Sequence, residues 1–262
     1  MKKLSLFSVS PIALAMSLTS AAAFAPIAAQ AAETTATGNI GIHSMYLLRG
    51  IGKENDNTAV QGGFDYAHES GFYAGYWGSN LGYSYDKNVG VDSGGNGFEN
   101  DFYGGYAGSA GDLSYKLGLI QYYYLNVDDS DLTEVLANVG YAGFTLQMQY
   151  LANDGWWGNA GDIYWTAGYS LPLPNDFTLG ASLGYYTYDD DDNSDLCWPA
   201  PAGCGTTTSD SGYRHLNLTL SHPIANTGAN MYVQYTNAGE DRTGNDDYDD
   251  KVIFGVTYGF GL

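Results

Sequence analysis

The strongest constraint on this chain is a two-residue alternation of apolar and polar or small side chains, repeated from about residue 39 to the C-terminus. It is clearest in the closing stretch KVIFGVTYGFGL, where Val252, Phe254, Val256, Tyr258, Phe260 and Leu262 share one parity. Lys251, Ile253, Gly255, Thr257, Gly259 and Gly261 share the other. A period of two describes a strand with two unlike faces. Phe144, Leu146, Met148 and Tyr150 alternate in the same way with Thr145, Gln147 and Gln149, and Leu216, Leu218 and Leu220 with His215, Asn217 and Thr219. Twelve such segments can be traced, the first expected over Asn39–Ile51 with Tyr46 and Leu48 on the apolar face and Arg49 on the other.

The connections between segments also alternate. Those at 67–71, 108–112, 142–143, 172–176 and 223–229 are short. Those at about 52–58, 80–101, 125–131, 152–162, 189–212 and 238–250 are longer and carry 23 of the 29 acidic residues. Short turns at one end and long polar loops at the other are the layout of a transmembrane antiparallel up-and-down β-barrel. An even number of strands closes the sheet without a free edge, as lipid requires. The expected fold is therefore an all-β barrel of about 12 strands, with short periplasmic turns and long acidic extracellular loops.

The N-terminus supports export. Lys2 and Lys3 precede an apolar run from Leu4 to Leu18 and then small residues. This is the pattern of a cleaved signal peptide. Ala29-Gln30-Ala31 fits a cleavage site better than Ala23-Phe24-Ala25, which Pro26 follows, so residues 1–31 are expected to be removed and 32–262 to form one barrel domain. The mature chain then keeps 7 basic residues against 29 acidic ones, a formal charge of −22. No basic patch exists to meet phosphate, which excludes a nucleic-acid partner. Nothing after the signal offers the ~20 apolar residues of a spanning helix. The 24 tyrosines suit a wall whose rims sit at the membrane–water boundary.

Two stretches, YLLRGI (46–51) and AVQGGFDYAHESGFYAGYWGSN (59–80), are similar to the TorF-type porin family of proteobacterial outer-membrane proteins, whose function is otherwise unknown. The likeness rests on Tyr46, Arg49, Gly50, Gln61-Gly62-Gly63, Tyr66, Gly71-Phe72-Tyr73, Gly75, Trp77 and Ser79-Asn80. It implies a porin-like barrel and supplies no catalytic or binding residues.

Candidate sites follow from parity and composition. Arg49, Asp65, Asp101, Lys116, Glu134, Asp162 and Lys251 have inward parity and are the candidate pore lining. Opposed charges inside a barrel can order water and select ions, or can pair and fill the interior. Cys197 and Cys204, the two cysteines, lie in one loop of an exported chain and are expected to form a disulfide. Asp189, Asp191, Asn193 and Asp195 resemble the first half of a calcium loop, but Leu196 and Ala202 occupy positions that need Gly and an acid. Only loosely bound Ca²⁺ or Mg²⁺ is expected there, and no cofactor. Phe254, Val256, Tyr258, Phe260 and Leu262 resemble the terminal signal read by the barrel-assembly machinery. The other partners expected are outer-membrane lipid and lipopolysaccharide, with small hydrophilic solutes or cations as cargo. His43, His68, His215 and His222 form no nucleophile motif with the serines, so no enzyme activity is expected. The function expected is passive diffusion of small hydrophilic solutes with a preference for cations. The alternative is a non-conducting surface barrel whose acidic loops act in adhesion or divalent-cation binding.

Overall fold

The structure is a computed structural model that describes residues 33–52, 58–92, 95–155, 158–189, 207–244 and 248–262. Twelve strands form a closed antiparallel barrel. They are β1 (Thr35–His43), β4 (Ala59–Ala67), β5 (Phe72–Asn80), β8 (Phe98–Ala110), β9 (Leu113–Leu125), β10 (Leu132–Tyr141), β11 (Phe144–Leu151), β12 (Ile163–Pro172), β13 (Thr178–Thr187), β14 (Ser211–Pro223), β15 (Ala229–Ala238) and β16 (Lys251–Gly261). Each pairs with its neighbours in the wall, and β16 closes the ring on β1 with Ile40 opposite Tyr258 and Ile42 opposite Val256. Two small hairpins lie outside the wall sheet: β2 (Leu47–Leu48) with β3 (Ile51–Gly52), and β6 (Ser84–Asp86) with β7 (Gly90–Asp92).

The alternation seen in the sequence becomes the two faces of the wall. Ile42, Phe64, Phe102, Leu117, Phe144, Leu218, Val233 and Phe254 stand exposed on the outside. An outward apolar band of this kind is the pattern of a barrel wall that faces lipid. Outward rings meet in pairs near the short turns, as in Phe72–Tyr106 at 5.4 Å and Phe144–Tyr169 at 4.4 Å between centroids. Inside, polar groups satisfy one another. Thr219 donates to Gln234 at 3.0 Å, Gln234 to Thr236 at 3.0 Å, and Thr236 to Asn217 at 2.8 Å.

The buried apolar cluster lies within the barrel, towards the long loops. It joins Trp77, Ile120, Tyr122, Tyr124, Leu132 and Leu151 from the wall with Tyr46, Leu81, Tyr83 and Val127 from the loops. The inner face is less covered towards the short turns, where Asn39, Asp65, Tyr73, Lys116, Thr145, Gly180 and Thr219 are half-buried.

Two expectations are corrected. The first strand ends at His43 rather than Ile51. Tyr46 is not on the apolar outer face but buried inside, 2% exposed, and Leu47 is 1% exposed beside it. The alternation over 44–51 describes a segment that turns inward, where a bulky side chain also finds apolar surroundings, so period alone does not separate the two. Second, Glu99 and Asp101 belong to β8 rather than to the loop before it, and both are buried on the inner face.

Candidate functional site: a hairpin across the lumen

The segment leaving β1 crosses the barrel interior. Its last backbone tie to the wall is the Ser44 amide, which donates to the Phe254 carbonyl at 2.9 Å. The chain then forms the β2–β3 hairpin, with Leu47 opposite Gly52 and Leu48 opposite Ile51. Arg49 and Gly50 make the turn with φ of 51° and 84°. Two central residues with positive φ are the mark of a tight type I′ hairpin.

The tip is held by the opposite wall. One terminal nitrogen of Arg49 lies 2.7 Å from both carboxylate oxygens of Glu134 on β10. Its other terminal nitrogen donates to the Tyr186 hydroxyl on β13, and the guanidinium stacks 4.5 Å above the Tyr164 ring on β12. Glu134 also accepts from Tyr122 at 2.9 Å and from Gln149 at 2.9 Å. The flanks are held as well. Tyr46 donates to Glu99 at 3.1 Å and packs edge-on against Trp77, while Leu47 packs with Tyr232 and Ile253. A buried pair such as Arg49–Glu134 is costly to break on one side, by about 3–5 kcal/mol, because the remaining charge is left without compensation.

All three arginines of the protein meet here, although 193 positions separate the first from the last. Arg214 donates from Nε to the Arg49 carbonyl and from Nη1 to the Glu240 carbonyl, both at 2.9 Å. Arg242 pairs with Asp162 and lies over the Tyr188 ring, which stacks on Tyr186 at 5.1 Å. Asp162 also accepts from the amides of Asn159 at 2.9 Å and Asp189 at 2.8 Å. Burial pushes the Asp162 carboxyl up against the opposing pull of Arg242 and these amides. Burial likewise raises the loop tyrosines, Tyr188 well above its ordinary range and Tyr248 to about 12.

Arg214 could not be placed by parity. The pairing of β13 with β14 shifts between Gly184–His215 and Tyr185–Tyr213, leaving Arg214 as the extra residue of a β-bulge. Both Arg214 and His215 are therefore buried inside. The available signal was energetic: plain alternation from Leu216 would have set Arg214 against lipid, where a charge is expensive. The bulge also separates Ser211 from His215. Ser211 shares a 2.9 Å hydrogen bond with the outward Tyr185, whereas His215 meets Tyr164 inside.

The remaining inward candidates lie in different places. Asp65 accepts from Tyr103 at 2.6 Å, and the Lys116 ammonium sits 4.1 Å above the Tyr73 ring in the half nearer the short turns. Asp101 is buried on β8, and Lys251 opens β16 with its ammonium 3.9 Å from Asp249. Arg49 is inward as expected, but on the hairpin rather than on a wall strand. Asp189 is engaged through its backbone with Asp162 and Asn159. Asp191, Asn193, Asp195, Cys197 and Cys204 lie outside the described residues. Phe254, Val256, Tyr258, Phe260 and Leu262 all face outward at the barrel seam.

Comparison with known proteins agrees with this architecture. No curated protein matches the chain in sequence. Among solved structures, the KdgM porin superposes with a TM-score of 0.51 at 10% identity, covering 86% of this chain and 99% of that one. The NanC porin gives 0.49 at 9% identity, covering 87% and 99%. Outer membrane phospholipase A from Escherichia coli gives 0.44 at 12% identity, covering 85% and 89%. The KdgM likeness is one of fold, a closed barrel of the outer-membrane porin type. The model of the family described as "Bacterial protein of unknown function (Gcw_chp)" matches residues 27–260, and the chain belongs to that family.

Proposed function

We propose that the protein is a porin-like channel of the Gram-negative outer membrane, for passive diffusion of small hydrophilic solutes. The observation that carries this reading is the division of the closed wall into an apolar outer face and an inner face of hydrogen-bonding side chains. In this reading residues 1–31 direct export and are removed, the short turns face the periplasm and the long loops face outward. The terminal strand of alternating apolar residues serves recognition by the barrel-assembly machinery, and the lipopolysaccharide leaflet surrounds the loop end. The TorF-type resemblance fits the same assignment. The acidic loops concentrate cations at the mouth and repel anions, an effect that salt weakens because the Debye length is about 8 Å at physiological ionic strength. No catalytic step is assigned to it.

A second reading is favoured by one observation, the hairpin that crosses the lumen: a non-conducting barrel whose acidic loops act at the cell surface or bind divalent cations. Single-channel recording from refolded residues 32–262 under a salt gradient separates the two. Discrete steps with a cation-selective reversal potential are expected. Silence from protein shown to be folded by heat-modifiable gel migration would reject the channel.

A further inference from the structure

The 44–52 hairpin is attached to the wall in an unusual way. Its two strands form their own small sheet rather than joining the barrel. Among the described residues, no backbone–backbone hydrogen bond ties 45–52 to the wall after the one at Ser44. The hold is made by side chains: Tyr46 on Glu99, Leu47 against Tyr232 and Ile253, Arg49 on Glu134, and Arg214 on the Arg49 carbonyl. An element held in this way can leave as a unit without opening the closed sheet, because no ladder bond of the wall is broken.

The charge arrangement points to one latch. Glu134 receives Arg49, Tyr122 and Gln149 together, and it stands across the lumen from the strand that delivers the hairpin. Arg49 in turn binds Tyr186 and stacks on Tyr164, so its guanidinium joins β10, β12 and β13 at one point. The apolar contacts of Tyr46 and Leu47 flank this point. We propose that the 44–52 hairpin is the gate of the channel, latched across the lumen by Arg49 on Glu134, and that the lumen conducts when this pair is broken and the hairpin swings out about Ser44. This rests on the channel reading above and adds the residues that control it.

The experiment compares refolded wild type with Arg49→Ala, Glu134→Gln, the charge-exchanged double variant Arg49→Glu/Glu134→Arg, and a form with 45–57 replaced by a short Gly-Ser linker. All are recorded in planar bilayers after heat-modifiable migration confirms folding. The two single variants are expected to show open probability or unit conductance several-fold above wild type, with the double variant returning towards wild type. Single variants that conduct like wild type, while the linker form conducts more, would overturn the latch and leave the channel reading standing. Silence from every folded form, the linker form included, would overturn both. Should both single variants fail to fold, hydrogen exchange on the wild type decides. Amides of 45–52 exchanging much faster than those of β10 and β12 support the gate, and equal protection overturns it.

Discussion

Arg49 and Gly50 both adopt positive φ, and the second position tolerates no side chain. A Cβ on Gly50 would come within 2.9 Å of the Arg214 carbonyl and 3.1 Å of the His215 Cβ. Gly50→Ala therefore combines strain in the left-handed region with a clash against β14, a cost of about 1–3 kcal/mol. The expected result is a displaced hairpin in an intact barrel. Trypsin reads it directly, since Arg49 is sheltered in the wild type: the variant should be cut after Arg49 several-fold faster, with its heat-modifiable migration unchanged. Equal cutting rates would show that the tip does not depend on this fit. At this scale the sequence was informative about residue type and poor about place. Arg49 and Glu134 share inward parity, yet nothing in their spacing of 85 positions joins them. The bulge that moves Arg214 inside is set by the pairing of β14 with β13, which the sequence of β14 alone does not show.

The wall strands are elements whose two faces answer to different solvents. Leu218 lies outward on β14, opposite Ala181 and Tyr235, while its neighbour Asn217 is buried within a polar network. A lysine on the lipid face of a barrel costs roughly 2–4 kcal/mol near the bilayer midplane. Leu218→Lys is expected to lower the urea stability of the folded barrel in vesicles by about that amount, and a fall of under about 1 kcal/mol would show that this position lies near an interface. The entry to β16 depends on another element-scale device. Asp250 accepts from the Tyr235 hydroxyl and from Asn237 at 2.9 Å, which holds its carboxyl below the usual carboxylate range. A depressed carboxyl contributes stability above its unfolded value of about 3.9 and loses it as pH falls through the folded value. Exchange of the Ala238 amide, which donates to Asp250 at 3.2 Å, should therefore quicken only on strong acidification, and Asp250→Asn should flatten that response. An unchanged profile in the variant would remove Asp250 from the account.

Most acidic residues of the sequence fall in the six longer connections, and the proposed orientation sets those connections outward. Val89 on the β6–β7 hairpin is 83% exposed, and Asp112 lies in the short turn between β8 and β9. With Cys197 and Cys204 replaced by serine, a cysteine at Val89 should react with a membrane-impermeant maleimide on intact cells, and one at Asp112 only after lysis. The reverse pattern would invert the assignment. The sequence by itself pointed to a wall of about 12 strands, to the alternation of short and long connections, and to which side chains of most wall strands face outward, because period two and the cost of a polar group in hydrocarbon act on neighbouring residues. Only the tertiary structure decided that the segment after His43 turns into the lumen, that a bulge carries Arg214 inside, and that Arg49, Arg214 and Arg242 meet around one hairpin. Those outcomes depend on closure of the wall, which creates an enclosed space whose occupants come from distant positions and whose fit no local pattern records.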